Sequence, residues 1–190
     1  KEQNEIGEDA SRLLGDLYSL PGFCEIDYQK AFDYYLMSED GYSLNRCGEI
    51  CLQGFLGTID KKRTVDFFVR SCNAGFGEAF VNLGNCYFEG IGVDKDYSKA
   101  FEFYKIAEEY KINKALFYLG RSFEYGFGTR KNFAKAVAYY QAAANENDPK
   151  GLYRFGKILM DSSDSELKRQ GYEFVIKTAF VYSYPPAMNE

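Results

Sequence analysis

Ser165-Glu166-Leu167-Lys168 has the Ser-x-x-Lys spacing in which a lysine can take the proton of a nucleophilic serine. Such a nucleophile needs a buried base, and this tetrapeptide sits in a polar stretch, Met160-Asp161-Ser162-Ser163-Asp164-Ser165, that reads as a loop. Cys47 and Cys51 are four apart, which would put two thiols on one helix face. Zinc wants two more ligands at suitable spacing; no pattern supplies them, and the chain has no histidine. Gly90-Ile91-Gly92 and Gly126-Phe127-Gly128 have the shape of phosphate loops, but neither fits the Walker lysine spacing or follows a predicted strand. No catalytic residue, metal or cofactor is therefore expected. The missing imidazole also removes Ser-His-Asp and Cys-His nucleophile systems, leaving Lys, Tyr, Cys and carboxylates for any chemistry.

The elements that would position such groups come from the rest of the chain. Its 190 residues carry 23 basic and 28 acidic groups, a net charge of −5, and its apolar fraction of 46% is ordinary for a chain that buries a core. No apolar run is long enough to span a membrane, and Lys1-Glu2-Gln3-Asn4-Glu5 lacks the layout of a signal peptide. Because the chain begins with Lys, it reads as an excised segment. Five cysteines, Cys24, Cys47, Cys51, Cys72 and Cys86, without N-x-Ser/Thr sequons, point to the cytoplasm or another reducing compartment and to buried free thiols.

Comparing the chain with itself shows a period near 36 residues. A small residue followed five positions later by glycine occurs at Ala10/Gly15, Ser43/Gly48, Ala79/Gly84, Ala115/Gly120 and Gly151/Gly156. An apolar residue precedes each glycine (Leu14, Cys47, Leu83, Leu119, Phe155), and an apolar or aromatic one follows three later (Tyr18, Cys51, Tyr87, Phe123, Leu159). These offsets mark one face of a helix. Sixteen residues after the first four glycines stand Ala31, Thr64, Ala100 and Ala136, followed by Tyr34-Tyr35, Phe67-Phe68, Phe103-Tyr104 and Tyr139-Tyr140, a second amphipathic helix.

Glycine-rich turns separate the two helices, and Asp27, Asp60, Asp96 or Asn132 stands where an N-cap would start the second. Small residues at a fixed phase let a neighbour's rings approach closely, which assigns most of the 34 aromatics, and Cys47 and Cys51 with them, to packing. The repeats run approximately 7–39, 40–75, 76–111, 112–147 and 148–183 in a single all-α domain, with a truncated sixth from 184. The first has a Pro21-Gly22-Phe23-Cys24 turn, and the fifth aligns only with a one-residue slip around Gly171-Tyr172, so irregular stacking is expected there.

Leu83-Gly84-Asn85-Cys86-Tyr87-Phe88-Glu89-Gly90-Ile91-Gly92-Val93, then Asp96, Lys99-Ala100 and Tyr104, resembles the Sel-one-like repeat (SLR), a relative of the tetratricopeptide class. The fourth repeat is nearly as close; the second and fifth depart most, with cysteines for Leu and Tyr in one and no glycine turn in the other. The resemblance implies an α/α right-handed superhelical solenoid of antiparallel helix pairs, with the first helices lining the concave side. It implies an adaptor or scaffold that binds proteins rather than an enzyme. The alternative it raises is a secreted β-lactam-binding or hydrolase-like repeat protein. Secreted relatives staple each repeat with a cysteine pair; Cys72 stands near one half of such a pair, but Leu44 occupies the partner phase.

A solenoid leaves a groove along its stacked first helices, here roughly 35–40 Å long for four gaps of about 8–10 Å. First-helix phases that avoid the core pattern supply its lining. They are Asp9, Leu13, Asp16 and Leu20 in the first repeat, Tyr42, Arg46, Glu49 and Gln53 in the second, and Glu78, Asn82, Asn85 and Glu89 in the third. The fourth gives Lys114, Tyr118, Arg121 and Tyr125, and the fifth Lys150, Arg154, Lys157 and Asp161. The sign changes along the stripe, as it does in the whole chain: −7 over residues 1–95 and +2 over 96–190. Lys114, Tyr118, Arg121, Tyr125, Lys150, Arg154 and Lys157 are thus the candidate receivers of an acidic or aromatic peptide. Nucleic acid is not an expected partner for an acidic chain with one modest basic patch, and neither direct membrane insertion nor an oligomeric state is indicated.

Overall fold

In the computed structural model the described residues are 7–22 and 25–181, and the ordered elements among them are all helices. Phe23, Cys24 and the onset of a sixth repeat at 184 lie outside them. Two compact units divide the chain at residue 96. The N-terminal unit holds α1 (Glu8–Ser19), α2 (Tyr28–Ser38), α3 (Gly41–Gln53), α4 (Lys61–Asn73) and α5 (Gly77–Glu89), each packed on the next. The C-terminal unit holds α6 (Tyr97–Glu109), α7 (Lys114–Tyr125), α8 (Phe133–Asn145), α9 (Pro149–Met160) and α10 (Ser165–Val181), again in serial contact.

The repeated glycine is the contact point inside a helix pair. A Cβ at Gly15 would lie 2.5 Å from the Tyr35 ring, at Gly48 2.5 Å from Phe68, and at Gly120 2.7 Å from Tyr140. Each ring sits twenty residues after its glycine and is fully buried, so the absent Cβ is the space the ring fills. Burying such a ring is worth roughly 1.5–3 kcal/mol. The small residue five before the glycine is buried at Ser43, Ala79, Ala115 and Gly151, but Ala10 is exposed. In the fifth pair the predicted slip is present: Gly171 is buried and Tyr172 half exposed, while a Cβ on Gly156 would meet Gly171 O at 2.9 Å and Val175 Cγ2 at 3.0 Å.

In the first four repeats the turn is tied back to its own first helix by one recurring bond. The N–H of Asp27, Asp60, Asp96 or Asn132 donates to the carbonyl of Tyr18, Cys51, Tyr87 or Phe123, three residues after the repeat glycine, at 2.8–3.3 Å. The side chains of Asp27, Asp60 and Asn132 then accept from the N–H three residues on, the expected N-caps. Asp40 and Asp148 cap α3 and α9 in the same way. The second glycine of the Gly-x-Gly turn has φ near +70° and touches backbone: a Cβ at Gly92 would lie 2.1 Å from Lys61 O, and at Gly128 2.0 Å from Tyr97 O. These glycines let a turn abut the start of the preceding repeat's second helix, which no side chain at that position would permit. They are packing glycines, not phosphate binders.

One local expectation changes. Ser165 is not in a loop: α9 runs through Met160 and α10 begins at Ser165, with Asp164 accepting from the N–H groups of Glu166 and Leu167.

Candidate partner-binding surface

The predicted residues lie on α7 and α9 of the C-terminal unit, two helices in direct contact. Spaced i, i+4, i+7, they form one stripe on each helix, and two rungs join the stripes. In the first, Lys150 Nζ donates to Tyr118 Oη at 3.2 Å and stands over the Tyr118 ring at 5.2 Å and the Phe117 ring at 5.6 Å. The Tyr118 ring is itself stacked on buried Tyr104, centroids 4.9 Å apart. In the second, Arg154 grips Glu124 with two hydrogen bonds, Nε to Oε2 at 3.1 Å and Nη2 to Oε1. Its Nη2 also donates to Tyr125 Oη at 2.9 Å, and its Cζ lies 6.0 Å from that ring's centroid.

Glu124 is the residue that sequence reasoning missed. Its side chain is only 11% exposed, and it also accepts from the hydroxyl of buried Tyr140 at 2.7 Å. It therefore links α7, α8 and α9. The Glu124 bonds hold the Arg154 guanidinium above its usual range despite partial burial, and burial followed by the Glu124 contact pushes the Tyr140 phenol up. A signal existed: four residues after the repeat glycine the other helices carry Ser19, Leu52, Phe88 and Met160, so Glu124 is the lone charge at a neutral phase.

The other candidates are not drawn into these rungs. Arg121 turns to the Phe127 ring at 5.9 Å, and Phe127 packs on Tyr97 and Tyr125 at 4.7 and 5.6 Å. Lys114 and Lys157 are exposed. Asp148 spends its carboxylate on capping Gly151 N–H at 2.7 Å, and burial raises its carboxyl against the pull of Lys150 and Lys114.

The N-terminal unit solves the same problem with other residues. Asp16 accepts from the hydroxyls of Tyr35 and Tyr42, each at 2.7 Å, joining α1, α2 and α3, while Tyr35 Oη lies 2.9 Å from Ser19 Oγ. Arg46 pairs with Glu49, which also receives Asn45 Nδ2 at 2.9 Å; Asn82 Nδ2 donates to Asn45 Oδ1 at 2.8 Å. Here the stripe is acidic, its one cation, Arg46, pairing with Glu49, whereas in the C-terminal unit its cations outnumber its acids.

The groups with chemical potential elsewhere are poorly placed for catalysis. Ser165 and Lys168 are both exposed, so no buried base backs the serine. Burial pushes the Cys47, Cys72 and Cys86 thiols up to about 12 and raises Cys51 as well, which disfavours the reactive thiolate. Among the described residues no cluster of three or more His, Cys, Asp or Glu could hold a metal ion, and no helix is long and apolar enough to cross a membrane.

A profile of the Sel1 repeat matches residues 9–40, 78–109 and 113–148, the first, third and fourth repeats of the sequence period. An uncharacterised Sel1-like repeat-containing protein of Schizosaccharomyces pombe is 36% identical over 77 residues, 40% of this chain but only 12% of that relative's length. Among solved structures, a Sel1 repeat protein from Oxalobacter formigenes is similar with a TM-score of 0.82 at 21% identity, over 96% of this chain and 76% of that one. A protective antigen of uropathogenic Escherichia coli displaying an SLR fold gives a TM-score of 0.77 at 21% identity, over 93% of this chain and 40% of that one. At these identities the structural likeness is one of fold.

Proposed function

The chain belongs to the Sel1 repeat family, and on that footing we propose that it is a non-catalytic scaffold that binds a protein or peptide along the α7/α9 surface of its C-terminal unit. The observation that carries this reading is the pair of stripes itself. Five cations, Lys114, Arg121, Lys150, Arg154 and Lys157, stand on two touching helices, with Arg154 gripping Glu124 and Asp148 lying near Lys150 and Lys114. A stripe whose positions hold five cations and one acid, Asp161, favours an acidic partner and speeds its encounter. The exposed Ser165 and Lys168, and thiols held neutral by burial, speak for binding over catalysis. Free Cys47, Cys51, Cys72 and Cys86 suit a reducing compartment such as the cytoplasm.

The test is affinity capture with the intact protein, comparing wild type with Lys114→Glu/Lys157→Glu. Both side chains are exposed, so the fold is retained. A specific partner captured by wild type and lost from the double variant is the expected result; equal capture by both refutes the assignment of this surface.

A further inference from the structure

We infer that the partner is read through its carboxylates by Lys150, Arg154 and Lys157, and that Tyr118, Tyr125 and Glu124 are positioning residues that never receive the partner's side chains. This rests on the proposed use of the α7/α9 surface and removes an ambiguity in it, since tyrosines among cations could equally have received aromatic groups.

The geometry favours the acidic partner because the ring faces are occupied. Tyr118 has Tyr104 stacked on it at 4.9 Å and the Lys150 ammonium over its ring at 5.2 Å. Tyr125 has Phe127 stacked at 5.6 Å and the Arg154 guanidinium at 6.0 Å. A partner ring would have to displace a neighbour from Tyr118, and at Tyr125, which is 41% exposed, it would compete with Phe127 and the Arg154 guanidinium for the ring. The hydroxyls are likewise engaged, each accepting from the cation of its rung.

The cations keep donors in reserve. Arg154 uses Nε on Glu124 and Nη2 on Glu124 and Tyr125, so Nη1 and its two N–H groups have no partner among the described residues. Lys150 gives one of its three N–H groups to Tyr118, and Lys157 stands exposed one turn beyond Arg154. Glu124 thus acts less as a neutraliser than as a brace, since its two-point grip fixes the guanidinium plane and leaves the opposite edge outward. Along α9 the step from Lys150 to Arg154 is four residues, about 6 Å of rise. Alternate residues of an extended chain repeat every ~6.6–6.8 Å. An extended segment with an acid at every second position can therefore keep pace with both cations.

The test uses fluorescence anisotropy on the intact protein near physiological salt, with three labelled probes: alternating Glu and Gly, alternating Gln and Gly, and alternating Phe and Ser. The Glu peptide should bind about tenfold or more tighter than the Gln peptide. Lys150→Gln and Lys157→Gln should each weaken it. Tyr118→Phe, which keeps the ring and removes the hydroxyl, should weaken it by about threefold, an effect that ring-mediated capture would not give. Glu124→Gln separates brace from neutraliser: a brace predicts weaker binding, a neutraliser tighter binding because the surface gains a positive charge. Tighter binding in Glu124→Gln, with an unchanged thermal midpoint, overturns the positioning role. Preference for the Phe peptide, abolished by Lys114→Glu/Lys157→Glu, would overturn the carboxylate inference while leaving the surface as the partner site. Glu-peptide binding indifferent to Lys150→Gln, Lys157→Gln and Lys114→Glu/Lys157→Glu would refute the surface itself.

Discussion

Replacing Gly92 by alanine should destabilise the N-terminal unit far more than the same change at Gly75, although both glycines have left-handed backbone, φ +70° and +78°. The left-handed conformation alone costs an L-residue roughly 1–2 kcal/mol, and that cost is common to both sites. At Gly75 the new Cβ enters open space. At Gly92 it would stand 2.1 Å from Lys61 O and 2.7 Å from Lys61 C, main-chain atoms that no rotamer change can move away. Overpacking of this kind adds about 1–3 kcal/mol, so Gly92→Ala should cost about 2–5 kcal/mol and Gly75→Ala about 1–2. For a chain of this length the excess corresponds to a midpoint lower by roughly 2–12 °C in the Gly92 variant. Circular dichroism melts of the two variants supply the comparison. Hydrogen exchange localises it, because only Gly92→Ala should deprotect the first turn of α4 beyond what Gly75→Ala does. Equal melting and equal protection in the two variants would refute the claim that this glycine exists for the close approach of turn to helix.

Three further outcomes follow from local chemistry. Asp60→Ala removes the side-chain acceptor for Arg63 N–H at the start of α4 and should cost ~1 kcal/mol in urea unfolding, with Asp60→Asn restoring most of it. The thiols of Cys47, Cys72 and Cys86, raised to about 12, should resist iodoacetamide at pH 8 in the folded protein and react in urea. Because their folded pKa values exceed the unfolded value of about 8.5, the stability they confer is complete below that pH. It should be lost as pH rises from about 9 to 12, where the unfolded chain ionises first; a midpoint that rises with pH over that window would contradict the burial of these groups.

Much of the fold was legible because each repeated position has one local job. The glycine-to-ring offset of twenty residues, seen as Gly15/Tyr35, Gly48/Phe68 and Gly120/Tyr140, survives as a physical contact in each of these pairs. The caps at Asp27, Asp60 and Asn132 and the slip at Gly171 were readable for the same reason: a side chain and a backbone group a few residues apart, or a gap in a period, are one-dimensional facts. The start of α10 at Ser165 was not, since Ser and Asp suit both a loop and the first turn of a helix.

For the candidate surface the division falls elsewhere. The sequence by itself determined which residues stand on the two stripes, because helical periodicity fixes direction: Lys114, Tyr118, Arg121 and Tyr125 on α7, and Lys150, Arg154 and Lys157 on α9. Only the tertiary structure decided how those charges are spent. Arg154 meets Glu124 across thirty residues, Lys150 meets Tyr118 across thirty-two, and Arg121 turns to Phe127 within its own turn. Periodicity assigns a residue to a face. Pairing across faces depends on the distance and rotation between packed helices, and those are set by the volumes of the rings and glycines between them.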